Sequence, residues 1–285
     1  MSRARDLSEL TIYNSETATI GATGDYPTIN AALEYYSKRA PVYKKEGIAV
    51  TLELQAGFVM SEQVLVRGID FGWVTITGVD AQTTIANAAL TIDFTTADYE
   101  FNSFPAFGVS KGGVLPRIGQ LFIFDVAGVG GNKHGVMAIG AGSSADVLAD
   151  CGVVNAGGRG IFASRGSIIN ASDANASGAG NHGIYAERVS IINAHRANAS
   201  GASTYGVFAS NGAAIDARVV DASGAGDSGI YALNGSTINA RDANASGAGG
   251  VSFLVFSGST INAQNSVGNT SISVNTLTSS GIIFR

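Results

Sequence analysis

The sequence predicts an all-β chain: a parallel β-helix of 23-residue coils with a short capping helix near its start. Three observations predict it. First, residues 154–268 repeat with a period of 23, and Ser177, Ser200, Ser223 and Ser246 open near-copies of one phrase. Residues 223–245 read SGAGDSGIYALNGSTINARDANA. A fixed period in the twenties marks one supersecondary unit stacked on itself. Second, the copies align in columns: Ile169, Ile192, Ile215, Ile238 and Ile261; Ala171, Ala194, Ala217, Ala240 and Ala263; Asn170, Asn193, Asp216, Asn239 and Asn262. Third, each copy holds three short runs, GIYA, STINA and RDANA, broken by Gly and Asn. Runs this short, bounded by helix breakers, are strands. Their period-2 alternation puts Ile238 and Ala240 on one face and Asn239 on the other. Coils stacked at strand spacing, about 4.8 Å apart, turn each column into a ladder of touching side chains.

Taken in order, residues 1–18 are polar with a charged start, read either as a disordered tail or as an attachment peptide. Asp25-Tyr26-Pro27-Thr28 reads as a helix start with Pro in the first turn. Ile29, Ala32, Leu33 and Tyr36 then fall on one helical face. Lys38 to Lys45 reads as a polar loop containing Pro41. Strands follow at 48–54, 64–66 and 73–77, with a turn at Ala56-Gly57. Residues 85–130 are less regular. Phe94, Phe101, Phe104, Phe107, Phe122 and Phe124 are read there as the core of wider coils, and 120–126 as a buried strand. His134-Gly135-Val136-Met137-Ala138 echoes His182-Gly183-Ile184-Tyr185-Ala186 at two periods plus two residues. The regular array therefore starts near residue 132, with one small insertion before Val154. After Gly268 the pattern stops, and the β-prone end, finishing Ile282-Ile283-Phe284, reads as a strand that closes or trimerises the tube. The division is thus 1–18 attachment segment, 19–131 helix-capped first coils, 132–268 regular repeats and 269–285 closing strand.

The order GDYPTINAALEYY, VTLELQAGFV, VLV, VTITGVD, TTI over residues 24–85 resembles the start of pectin-lyase-like β-helices. In that family a short helix caps the open end of a right-handed tube. Pectinesterases and many phage tail spikes begin this way. SRARDLSEL near the start is similar to short SRARDLA-type segments of phage virion proteins. The resemblance implies a right-handed coil and a trimeric spike or fibre of a phage tail, or of a gene transfer agent head. It implies an N-terminus joined to other virion proteins. It is evidence of fold more than of chemistry, and the sequence holds no match to the catalytic pattern of pectinesterases or pectate lyases.

Composition narrows the function. Charged residues are 14% of the chain and the net charge is −5, which disfavours nucleic acid as a partner. The single cysteine, Cys151, excludes an intrachain disulfide framework. No apolar signal region and no run of transmembrane length are visible, so the expectation is cytoplasmic synthesis, a virion location and no membrane insertion. No cofactor and no metal are expected: His134, His182 and His195 form no ligand motif and read as structural or surface residues.

Inward columns of Ile and mostly Ala imply a narrow tube that buries little apolar area per residue, which favours association of identical chains into a homotrimer. If Ile and Ala point in, then Met137, Phe162, Tyr185, Phe208, Tyr231 and Leu254 point out. This apolar stripe is open to three readings: a subunit interface, a sugar-stacking platform, or core if the faces are reversed. Charged residues gather near the third run, where Asp173 and Arg196 stack one period apart and Arg218 and Arg241 share a column with His195. Tyr185, Tyr231, Arg196, Arg218 and Arg241 are therefore the candidate residues for binding a bacterial cell-surface polysaccharide. A polysaccharide-degrading spike, lyase or hydrolase, would need paired carboxylates, for which Asp173, Asp221 and Asp242 are the candidates. The sparse acids of the coils argue against it. A solvated rim of compensating charges is the plain alternative, and a purely structural virion spacer the third function. The Asn columns read as amide ladders or solvent faces.

Overall fold

The computed structural model describes residues 11–12, 14–41, 47–85, 89–94, 103–119, 123–125, 131–268, 277–278 and 281–284. The chain is a right-handed parallel β-helix. Two eight-stranded ladders run along it. The first stacks Val64–Arg67, Phe104–Ser110, Lys133–Ile139, Ile161–Ser164, His182–Glu187, Tyr205–Ser210, Ser228–Leu233 and Phe253–Val255. The second stacks Ser144–Asp146, Ile168–Asn170, Ile191–Asn193, Ala214–Asp216, Thr237–Asn239 and Thr260–Asn262, and ends on Gly281–Phe284 with Leu277–Thr278. Register follows the sequence columns. Ile184 pairs with Val207 and Val207 with Ile230 in the first ladder; Ile192 pairs with Ile215 and Ile215 with Ile238 in the second.

The third run differs from expectation. RDANA does not form a strand: the third ladder begins as the strands Gln82–Thr84, Ile123–Asp125 and Gly152–Val154, and in the repeats continues as single bridged residues, Asn175, Asn198, Asp221, Asn244 and Val267. The cause is the corner just before it. Asp173, Arg196, Val219 and Asp242 all take the left-handed conformation, with φ between 57 and 61°. That tight turn uses most of the run, and the candidate charges sit on the corner itself.

The inner columns are buried as read. Ile169, Ile192, Ile238 and Ile261 are fully enclosed with Ala171, Ala194, Ala217, Ala240 and Ala263. The tube is narrow enough that backbone touches backbone. A Cβ added to Gly206 would lie 2.6 Å from the Ala222 Cβ and 2.8 Å from the Gly229 carbonyl oxygen. Glycine is required where the first ladder bends against the third, whatever its φ.

The insertion before Val154 is two single residues at two corners. Paired residues are 25 apart in the first ladder (Val136 to Ile161), 24 in the second (Ser144 to Ile168) and 23 in the third (Gly152 to Asn175). The corner after the first ladder also repeats: Arg165-Gly166, Asn211-Gly212 and Asn234-Gly235 place two successive residues at positive φ. Buried serines brace it, as where Ser190 Oγ accepts from the Gly166 N–H at 3.1 Å. Val189 occupies the glycine position of this turn with φ 63° and is exposed. A β-branched residue is strained there. Val189→Gly is expected to raise stability by about 1 kcal/mol. A lower midpoint in urea unfolding would contradict the strain.

The helix spans Ile29–Ser37 and buries Ile29, Ala32, Leu33 and Tyr36. Its N-cap is Thr28, whose Oγ1 accepts from the Ala31 N–H at 3.2 Å, so Pro27 lies one residue before the cap, outside the first turn. Glu16–Ile20, Val50–Leu54, Val74–Gly78 and Arg117–Ile118 form a four-stranded sheet of the first coils. Thr11–Ile12 pairs with Ala40–Pro41, which gives strand character to part of the expected tail and loop. Phe107 is core, and Phe104 packs partly buried against it. Phe101, Phe122 and residues 1–10 lie outside the described residues, and of the expected strand 120–126 only Ile123–Asp125 is described.

Candidate functional site

The outer face of the first ladder carries the aromatic stripe. Ile184 and Ala186 point into the tube, so Tyr185 and its column point out, as expected. The stripe is not exposed, however. Phe94, Met137, Ile139, Phe162, Tyr185 and Phe208 form a second apolar cluster outside the tube. Phe94 lies over Gly108, where an added Cβ would meet its ring at 3.0 Å, and Gly108 pairs with Met137. Further along, the rings cover one another. Phe162, Tyr185, Phe208 and Tyr231 stack with centroids 5.1, 4.7 and 4.8 Å apart and planes within 13° of parallel.

Stacking decides what a ligand can reach. Tyr185 has a ring on each face, is 6% exposed, and its hydroxyl donates to Glu187 Oε2 at 2.8 Å. With both ring faces covered it offers a sugar no stacking platform, which corrects its reading as a platform residue. Tyr231 and Leu254 are half-buried. Tyr231 has Phe208 on one face and the edge of Phe256 at 6.2 Å. Tyr205, half-buried beside it, stacks on His182 at 4.9 Å and meets Tyr231 edge-on at 5.0 Å. The stripe is thus closed near Phe94 and opens toward Tyr205 and Tyr231. Exposed Asp227 lies close to both phenols; burial first, and then its charge, pushes them up from the ordinary phenol range.

The other candidates lie at a different corner. Arg196 donates to both oxygens of Asp173 at 2.5 and 2.7 Å, the predicted stacked pair. Its hydrogen bonds hold the Asp173 carboxyl below the usual carboxylate range. Arg218 binds Asp216, with Nη2 to Oδ2 at 2.7 Å. Burial pushes the Asp216 carboxyl up, but its arginine bonds outweigh this and leave it low. Arg241 contacts Asp242 at 3.1 Å. Asp221 accepts from Asn244 Nδ2 at 3.1 Å and from the Ser223 N–H at 3.0 Å. Asp173, Asp221 and Asp242 are therefore each engaged by cations or amides, and Arg196, Arg218 and Arg241 by carboxylates. The corner follows the second ladder, so it does not join Tyr185 and Tyr231 in one site. The amide ladder forms, as where Asn193 Nδ2 donates to Asn170 Oδ1 at 3.1 Å.

Sequence reasoning missed a second group on the first ladder. Arg159, His182 and Tyr205 share one column at intervals of 23, and His134 belongs to the strand before them. The spacing was the available signal. The Arg159 guanidinium lies 4.4 Å from the Phe162 ring centre and 4.9 Å from that of Tyr185. His134 Nδ1 accepts from the Arg159 N–H at 3.0 Å. Burial, then the Arg159 charge, pushes both His134 and His182 down to about 3, so both are neutral at pH 7. On the far side of Tyr185, Glu187 is buried and accepts from Ser164 Oγ at 2.9 Å.

No family model matches the chain, and no curated protein is detectably similar to it in sequence.

Proposed function

We propose that this chain is a spike or fibre protein of a virion that binds a bacterial cell-surface polysaccharide without cutting it, as a homotrimer. The observation that carries this reading is the open end of the outer stripe. Tyr205 and Tyr231 present ring edges and hydroxyls beside Asp227 on a rigid ladder. Aromatic edges next to fixed hydrogen-bonding groups suit the mixed apolar and polar surface of a sugar. Binding is favoured over cleavage because Asp173, Asp221 and Asp242 are occupied by other partners. The virion setting rests on the resemblance of the first coils and of the SRARDLSEL segment to phage spike proteins, with residues 1–10 as the attachment segment, since the strand Glu16–Ile20 belongs to the first coils.

The expected trimer contact moves to the second ladder. Its outer face exposes Ile168, Ile191 and Ile282 in one column with Ala214, Thr237 and Thr260, and Phe284 beside them in the column of Asn262. A flat apolar face of this kind suits a neighbouring copy. Single sugar sites are weak, in the millimolar to micromolar range, and three chains per spike raise avidity by orders of magnitude. The protein is expected to co-sediment with encapsulated cells of its host and not with acapsular mutants. Tyr205→Ala combined with Tyr231→Ala should weaken that about tenfold or more. Equal sedimentation with both cell types would leave the structural spacer. Light scattering should return three times the 28.9 kDa chain mass, and a monomer would refute the trimer.

A further inference from the structure

We infer that Arg159 and His182 form a subsite for a carboxylate carried by the glycan, so that the bound polysaccharide is acidic. This rests on the reading of the outer stripe as a glycan-binding face. Arg117, Arg196, Arg218 and Arg241 each meet a carboxylate within 3.1 Å. Arg159 makes no ion pair among the described residues, although it is only half exposed. Its Nε is shut off from solvent and has no hydrogen-bond partner among the described residues. One coil on, in the same column, His182 Nδ1 is likewise buried without a partner, on a side chain only 7% exposed.

Two adjacent side chains thus carry unmet polar atoms on one face, where such atoms are normally satisfied. The guanidinium sets a full positive charge against them. It lies 4.4 Å from the centre of the Phe162 ring and 4.9 Å from that of Tyr185, in cation–π range of both. A planar guanidinium fork is matched by a carboxylate, which takes two parallel hydrogen bonds from it. The nearest described acid on the stripe, Glu187, is taken up by Tyr185 and Ser164 and forms no ion pair with Arg159. Asp227 stands three coils away, about 14 Å along the axis, beyond a Debye length. Tyr205 lies between, stacked on His182, so a chain with its acid at Arg159 would run over the open end of the stripe.

The test uses full-length protein labelled with nitrogen-15 at arginine and histidine, titrated with sodium glucuronate, glucose and glycerol phosphate in the millimolar range. Glucuronate should shift the Arg159 Nε and His182 ring resonances saturably; glucose should not. Arg159→Gln should weaken the His182 response about tenfold or more. If the variant fails to fold, the contrast between glucuronate and glucose in the unaltered protein decides. Equal shifts with glucose, or no saturable shift with glucuronate, would overturn the subsite. A stronger response to glycerol phosphate would overturn the assignment to a carboxylate. Co-sedimentation with encapsulated cells tests the parent reading separately: cells bound without any glucuronate response would sink the subsite alone.

Discussion

Ile215→Asn is expected to destabilise the tube by about 3–5 kcal/mol, from lost apolar burial plus an amide enclosed without a partner. Ile215 is 2% exposed and lies in the middle of a column whose other members are fully enclosed. The core it joins is rich in short alanines, such as Ala209, Ala217 and Ala222, which are too short to fill the gap. Each coil contacts only its neighbours, so a central defect also weakens coupling between the two halves. Ile191→Asn, one position off the column and 49% exposed in the single chain, should cost the chain itself no more than about 0.5 kcal/mol, any further loss falling on the proposed trimer contact and varying with protein concentration. Urea unfolding of the two variants checks the pair. A comparable loss at both positions would contradict the face assignment.

Acid should unfold the protein through His134 and His182. Both are buried and neutral, with folded values pushed down to about 3 from the ordinary 6.5. The unfolded chain therefore takes up protons first as pH falls. The stability tied to these groups is complete above pH 6.5 and is lost progressively between 6.5 and 3. Within that window each imidazole contributes a slope of about 1.4 kcal/mol per pH unit. His182→Phe keeps the stack on Tyr205 and should flatten the slope by about one proton. Urea unfolding at pH 7 and pH 5 measures it. Unchanged stability across that range would show that the histidines are not held neutral by burial.

The fold was legible because a β-helix writes its geometry as columns. The Ile169 to Ile261 series predicted both the register and the inner face, and the helix face of Ile29, Ala32, Leu33 and Tyr36 was equally plain. RDANA misled because its composition suits a short strand while its corner needs a left-handed residue, and only geometry separates the two. The aromatic stripe was placed on the correct side but read as open. What covers it is Phe94, from an irregular stretch far off in sequence, and the mutual stacking of its own rings. Arg196, Arg218 and Arg241 drew attention because they repeat, yet repetition supplied each with its own acid. Arg159 stood out less in sequence because its column continues as His182 and Tyr205. Its lack of an ion pair among the described residues is a fact of three dimensions.

The most direct test of a binding, non-cleaving spike is the length of a host capsular polysaccharide that the protein has been shown to bind. The polymer would be followed by size-exclusion chromatography over hours of incubation, with new reducing ends and unsaturated sugars assayed in parallel. The account predicts retention of the polymer by the protein, an unchanged length and no steady release of ends. Progressive shortening would contradict it, and would make Asp173, Asp221 and Asp242 the first residues to replace.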